Sequence, residues 1–291
     1  MTRHVGAIVV HHRSYETVGR VVLDLLAEGI DVTDIVVVDN SDDEDGKTRL
    51  RAAIPAGTAV LFTSNRGYGA AVNHGVRVLE STKQHDFLVV ATHEVRVTPG
   101  ALSALERALT SDPRVGAAGP TLLTTSNGED EVWSTGGTRT RLAKVPRHHD
   151  HRTDPDELLS RQLPDAVPRQ WLDGAFVMYR AAVLSEHRIN EVFFMYVEEV
   201  DLHLRLGRAG FGIVWVPSSR VHQSSEGTPP FYFGRNLVLL HRLNHDYLAL
   251  ALAPLAVFRA VLPQSIRQRS AGPILDGLRG IGHALSVREA R

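Results

Sequence analysis

The sequence contains no cysteine. That excludes a disulfide framework, a thiolate zinc site and a thiol nucleophile. Lysine is almost as scarce: of 32 basic residues only Lys47, Lys83 and Lys144 are lysine, and the rest are arginine. Arginine grips phosphate through a planar fork, but genome base composition biases the same count, so the bias alone assigns no site. Neither sign of charge dominates. The formal net charge is −1, which argues against nucleic acid as a partner, because neutralising phosphates needs a basic face. Long uncharged apolar runs are missing too. The nearest candidate, YLALALAPLAVFRAVL at 247–262, is interrupted by Pro254 and charged by Arg259, so no membrane-spanning helix is expected. The apolar start at Met1–Val10 is too short and too poorly flanked for a secretory signal. Three nucleotide or hydrolase signatures are absent as well. The first strand runs into His11-His12-Arg13 where a dinucleotide fold would have glycines, and there is no GxxxxGK[ST] loop and no GxSxG elbow.

What is present is enough apolar material, 43% of 291 residues, for one large domain or one domain with an extension. The first half alternates β-branched runs with helical patterns. Val5–Val10, Ile35–Val38, Val60–Thr63, Phe87–Ala91 and Val115–Gly119 read as strands. A helix capped by Ser14 carries Val18, Val21, Val22, Leu25 and Leu26 on one face and ends at Gly29. A second helix is expected over Gly69–Ser81, and a third with Thr98 as N-cap and Pro99 at its first position. Uniformly apolar strands alternating with helices predict an α/β fold with a mostly parallel sheet between helices. Residues 124–170 are polar and read as a long connection with one hairpin, in which His148, His149 and His151 are solvated. Trp171–Tyr179 and Phe211–Val216 are further strand candidates, with a helix over 198–209 between them. Beyond residue 230 the pattern is helical. It divides the chain into a domain at 1–235 and a C-terminal helical extension at 236–291. The apolar part of that extension reads as a docking helix over the core. A peripheral membrane contact supported by Arg259, Arg267, Arg269 and Arg279, or a homodimer, stays open beside it.

Ligands of open α/β sheets bind beyond the carboxyl ends of the strands. Three polar loops follow strands there: Asp39-Asn40-Ser41-Asp42-Asp43, Ser64-Asn65-Arg66-Gly67-Tyr68-Gly69 and Thr92-His93-Glu94. The densest cluster lies later, in FFMYVEEVDL, where Glu198, Glu199 and Asp201 follow an aromatic run and open a helix. Acids at a helix start complement its dipole. An aromatic approach also shields them, and a shielded carboxylate gains the proton affinity of a general base. Glu198 and Asp201 share a face. Glu199 points elsewhere, so it is placed to meet a ligand while the other two hold structure.

Together the segments IVVVDNSDDEDG, SNRGYGAAVNHGV, WLDGAFVMYRAAVL and FFMYVEEVDLHLRLGRAGFGIVWVPSSRVHQ resemble the family 2 inverting glycosyltransferases with the GT-A fold, in particular the bacterial rhamnosyltransferase-like branch. The resemblance spans roughly residues 5–240. It implies a nucleotide-diphospho-sugar donor, such as a UDP- or dTDP-sugar, and an acceptor hydroxyl on a glycan, a lipid-linked intermediate or a natural product. It implies Glu199 as the base, with Glu198 and Asp201 as its catalytic neighbours. Asp39 would meet the nucleobase beside the loop of Asn65, Arg66 and Gly67. Asp173 and Gly174 would lie near the sugar or acceptor, and Arg235, in an Arg-Asn pair, would meet the diphosphate. Glu94 and His222 would hold a divalent cation, Mg2+ or Mn2+. Two departures stand out. Thr92-His93-Glu94 lacks the family's aspartate, with His93 either a substitute ligand or solvent-facing, and the base position is Glu where the family has Asp. Each replacement moves a carboxylate by one methylene, about 1.5 Å. A sugar-nucleotide-binding protein on the same fold, or a nucleotidyltransferase, is the alternative. The expected location is the cytoplasm, with any membrane contact at the inner face.

Overall fold

A computed structural model describes residues 3–224 and 227–287. In chain order its elements are β1 (Val5–His11), α1 (Tyr15–Ala27), β2 (Ile35–Asp39), α2 (Glu44–Ala53), β3 (Ala59–Phe62), α3 (Tyr68–Thr82), β4 (Phe87–Thr92), β5 (Arg96–Val97), α4 (Ala101–Ser111) and β6 (Val115–Ser126). They continue with β7 (Glu129–Ser134), β8 (Gly137–Arg139), β9 (Pro146–His148), α5 (Pro155–Ser160), β10 (Val167–Pro168), β11 (Phe176–Arg180), α6 (Ala181–Glu186), α7 (Glu198–Arg208), β12 (Gly212–His222), α8 (Pro230–Leu243), α9 (Tyr247–Gln268) and α10 (Gly272–Ser286).

The main sheet runs β10-β12-β6-β11-β4-β1-β2-β3. Strands β3, β2, β1, β4, β6 and β12 point one way, while β11 is inserted antiparallel between β4 and β6. The reversal matters for the site. It brings the start of β11, after Asp173-Gly174, to the edge where β1, β2 and β4 end. Apolar side chains of alternating strand residues fill both faces of the sheet. Val9, Val37 and Val89 pack under α1 and α4 on one side; Ile8, Val36 and Val90 pack under α3, α6 and α7 on the other. Burial on both faces is why these strands are apolar without alternation.

Several sequence boundaries move, each for a visible reason. Strands β6 and β12 continue past the expected ends at Gly119 and Val216. Their prolines, Pro120 and Pro217, fall at one shared irregularity, where the pairing register shifts between Gly119↔Trp215 and Thr121↔Arg220. A proline at a bulge removes no ladder hydrogen bond. Thr98 does not cap α4. The helix starts at Ala101 after Gly100 at φ 83°, and the Thr98 hydroxyl donates to the Arg220 carbonyl instead. Ser14 sits at the N-cap of α1 but makes no side-chain cap bond. The strand expected at Trp171–Tyr179 begins only at Phe176. The 124–170 connection holds two hairpins and a short helix. The turn Asn127-Gly128 has φ of 53° and 87°, the primed geometry that joins β6 to β7.

Helices α8, α9 and α10 form a third core cluster with Trp171, Phe193 and Val200. Helix α8 runs continuously across residues 235 and 236. It meets α10 at glycine contacts: a Cβ on Gly234 would lie 2.2 Å from the Gly277 carbonyl oxygen, and one on Gly280 2.1 Å from that of Phe231. Only glycine allows that approach.

Candidate active site

The ends of β1 and β2 form one unit. In register, His11 stands beside Asp39. The buried His11 donates from Nδ1 to Asp39 Oδ1 at 2.9 Å, and its Nε2 accepts from the Ser14 N–H at 3.1 Å. These partners fix the neutral tautomer with the proton on Nδ1. The Ser41 N–H and hydroxyl also donate to Asp39 Oδ1. Burial raises the proton affinity of Asp39, but the bonds from His11 and Ser41 outweigh it and hold the carboxyl below the ordinary aspartate value. His11 is a site residue whose only mark in the sequence is a histidine standing where a dinucleotide fold has a turn glycine. Asp39→Ala would orphan a buried imidazole N–H and is expected to cost about 1–3 kcal/mol in chemical denaturation. Asp39→Asn keeps an acceptor oxygen and is expected to cost less than half as much. Equal losses would remove the His11 bond as the cause.

Beside this unit lies a small cleft lined by Asn40, Thr63, Ser64, Arg66, Gly67 and Arg77. Asn65 Oδ1 accepts from the Gly67 N–H at 3.1 Å. Gly67 has φ 95°, and a Cβ there would sit 2.0 Å from the Phe194 carbonyl oxygen. The glycine is therefore needed twice, for its conformation and for its contact. Arg66 is exposed and pairs with Glu191 at 3.1 Å.

The acidic cluster opens α7 as expected, but its three carboxylates differ. Asp201 is buried and spent: Oδ2 accepts from Arg205 Nε at 2.9 Å and Oδ1 from Asn244 Nδ2 at 3.1 Å. It ties α7 to the end of α8, so the carboxylate expected as a catalytic neighbour is engaged in anchoring the helix. Glu198 is buried, and its Oε2 has no hydrogen-bond partner among the described residues. Burial, aided by the Asp173 charge, pushes Glu198 up to about 7. Glu199 is partly exposed and lies against Gly174, whose Cα a Cβ could extend to only 3.4 Å from the Glu199 Cβ. Burial, then the charges of Glu198 and Asp173, raise Glu199 well above an ordinary glutamate.

The segment before β11 packs against this acidic start. Asp173 Oδ1 accepts from the Ala175 N–H, and Oδ2 accepts from Trp133 Nε1 at 2.9 Å. The Tyr68 hydroxyl donates to the Gly174 carbonyl at 2.7 Å. His148 is half-buried rather than a solvated loop residue. It sits on β9 with its Nδ1 2.8 Å from Ser134 Oγ and 4.0 Å from Asp173 Oδ2, its ring 4.9 Å from Trp171. Burial lowers its proton affinity against the pull of Asp173. Trp133 and His148 are thus site residues that the sequence placed in a loop. His203 of α7 is a further one. Its Nδ1 accepts from the Leu172 N–H at 3.2 Å, and its Nε2 meets the Tyr179 hydroxyl at 3.0 Å, which locks α7 onto the segment entering β11.

Arg235, expected at the diphosphate, has its guanidinium engaged by the protein itself. It is buried and donates to the carbonyls of Phe193 and Val192, each at 2.7 Å, to Asn236 Oδ1 at 2.7 Å and to His283 Nδ1 at 3.3 Å. Asn236 Nδ2 donates to the carbonyls of Met195 and Tyr196 at 2.6 and 2.8 Å. The pair holds the loop that aims α7.

For a metal, no group of three His, Asp or Glu gathers among the described residues. Glu94 Oε2 lies 3.4 Å from Ser224 Oγ, and His222 Nδ1 lies 3.8 Å from Asp130 Oδ2. His93 is half-buried, donates from Nδ1 to the Val10 carbonyl at 3.1 Å, and is lowered to about 4 by burial. These donors make an incomplete set that fits a cation only when the ligand supplies further oxygens.

Residues 3–237 match the model of the family described as glycosyltransferase like family 2. N-acetylglucosaminyl-diphospho-decaprenol L-rhamnosyltransferase of Mycobacterium tuberculosis is 31% identical over 207 residues, in both strains CDC 1551 / Oshkosh and H37Rv. That match covers 64% of this chain and 64% of the relative. Among solved structures, GalNAc-T7 with UDP, GalNAc and Mn2+ superposes with a TM-score of 0.62 at 14% identity, over 82% of this chain and 48% of that one. The mannosyltransferase PcManGT of Pyrobaculum calidifontis, in complex with GDP-Man and Mn2+, gives 0.57 at 12% identity, over 99% and 77%. An acidic α7 start facing a β-strand edge, carried on a GT-A sheet whose sequence matches over most of its length, makes this chain a member of glycosyltransferase family 2.

Proposed function

We propose that the chain transfers a sugar from a nucleoside-diphosphate donor to an acceptor hydroxyl with inversion, Glu199 acting as the base. The observation that carries this reading is the contact of the partly exposed Glu199 with Gly174 before β11, at the sheet edge where β2 ends in Asp39 and β3 leads into the Asn65–Gly67 loop. The acceptor O–H gives its proton to the Glu199 carboxylate. Its oxygen bonds to the anomeric carbon as the bond from that carbon to the diphosphate oxygen breaks, and the nucleoside diphosphate leaves with the electron pair from the opposite face. Asp173, held by Trp133, positions the sugar or acceptor. Asp39, held by His11, meets the nucleobase edge.

The mycobacterial relative supports a deoxysugar donor and a lipid-linked acceptor. A divalent cation would supply positive charge to the diphosphate, with Glu94 and His222 as its protein donors, and no step is derived through it. The test is a thermal-shift panel of UDP-, dTDP- and GDP-sugars, each with and without Mn2+. One donor class is expected to raise Tm, and Asp39→Asn to weaken its calorimetric affinity by about tenfold. Unchanged affinity would remove Asp39 from the donor site. Pyrophosphate release from a sugar phosphate and a nucleoside triphosphate would instead make the chain a nucleotidyltransferase.

A further inference from the structure

Helices α9 and α10 are built inside out for water. Their inner stripes are small: Ala249, Ala253, Val257, Val261 and Ser265 on α9, and Pro273, Gly277, Gly280 and Ala284 on α10. Their outer stripes are large. Leu248, Leu255, Phe258 and Ile266 recur on the free face of α9, each between 43% and 68% exposed. Leu275, Leu278 and Leu285 do the same on α10. A helix of an aqueous domain turns its large apolar side chains to the core. Here two successive, mutually packed helices turn them away, giving more exposed apolar surface than the scattered leucines of an ordinary surface.

We infer that this face lies on an anionic lipid surface, with α9 and α10 in the plane of the interface. The charge decides between lipid and a second copy. From 247 to 286 the chain carries Arg259, Arg267, Arg269 and Arg279 against one acid, Asp276. Arg279 pairs with Asp276, and the remaining balance of three positive charges on helices with an exposed apolar face complements acidic headgroups and repels its own duplicate. Helix α9 is long and apolar enough to cross a membrane, with a mean hydropathy of 1.5 over its best window. That departs from the expectation of no candidate span, because the helix continues through Pro254 and Pro263 to Gln268. Crossing is disfavoured by its attachments. The inner stripe is packed onto the domain, Asp246 at its start is paired with Arg139, and Arg259 sits mid-helix. Ring contacts also lead from this layer toward the site. His283 of α10 meets Phe231, Phe231 meets Tyr232, and Tyr232 meets both Phe194 and Tyr196 before α7.

The experiment is vesicle co-sedimentation of the full chain, with phosphatidylcholine alone and with phosphatidylcholine plus phosphatidylglycerol, at low and high salt. Wild type is expected to pellet with the anionic vesicles at low salt. The double variant Leu255→Glu/Phe258→Glu is expected to lower the bound fraction about tenfold with unchanged circular dichroism and Tm. Arg259→Ser/Arg267→Ser should lose the preference for anionic vesicles. Wild type left in the supernatant with anionic vesicles would overturn the inference. So would a stable dimer that Leu255→Glu/Phe258→Glu converts to monomer while wild type ignores vesicles, since a second copy would then cover the face.

Discussion

Glu199→Gln is expected to lower the transfer rate by about two to four orders of magnitude, the usual contribution of a positioned base, while donor affinity by calorimetry stays near wild type. The amide keeps the shape of the side chain against Gly174 and removes only the capacity to take a proton. The pH profile carries a second, independent signature. Burial and the neighbouring Glu198 and Asp173 raise Glu199 well above an ordinary glutamate. The base works only when ionised, so activity should fall as pH drops through a limb lying above the usual carboxylate range. Glu198→Gln removes one negative neighbour, which eases ionisation of Glu199. The acidic limb should then move to lower pH. A Glu199→Gln enzyme with near wild-type turnover, or a Glu198→Gln limb that moves upward, would sink the assignment.

The same pair bears on stability, with the opposite sign. Glu198 is pushed up to about 7 in the fold and titrates near the ordinary glutamate value when unfolded. The folded state therefore binds the proton more tightly. That contribution is full below the unfolded value and is lost as pH rises through about 7. A buried acid kept at a cost to the fold is what a working site retains and an ordinary core would not.

Local pattern showed the half of the molecule where strand and helix alternate. Strands β1 to β4 and helices α3 and α7 lie within a residue or two of their expected ends, because each is a periodic run closed by turn residues. The remainder depends on pairing between distant segments. Nothing near Pro120 or Pro217 says that the two prolines share one irregularity, so both strands looked shorter than they are. His148 looked solvated because its neighbours in sequence are polar, while its neighbours in space are Trp133, Trp171 and Asp173. Arg235 shows the limit of a motif. An Arg-Asn pair marks a position, but the direction of a side chain is set by what surrounds its helix, and α8 is buried from Gly234 to His241.

That buried pair yields the other large expected effect. The segment before α7 holds Phe194, Tyr196 and Val197 at φ of 67°, 70° and 72°. For a β-branched valine this region is a strained exception, costing on the order of 1–3 kcal/mol. The carbonyls of residues 192 to 196 all accept hydrogen bonds from outside the loop. Arg235 takes Val192 and Phe193, Tyr68 N–H takes Phe194 at 2.6 Å, and Asn236 takes Met195 and Tyr196. Asn236→Asp is the cleanest test of this clamp. It preserves shape and the acceptor facing Arg235, but it replaces a double donor by a group that can only accept, set against two carbonyl oxygens. The loop should relax toward unstrained φ values, and Glu199 should lose its place opposite Gly174. A displacement of about 1 Å at a reacting group costs roughly a hundredfold in rate, so kcat is expected to fall by about that factor with KM for the donor little changed. Asn236→Gln, which restores the donors on a longer stem, should recover part of the loss. A merely structural role predicts a lowered Tm with normal kcat well below it, and that result would detach the clamp from catalysis.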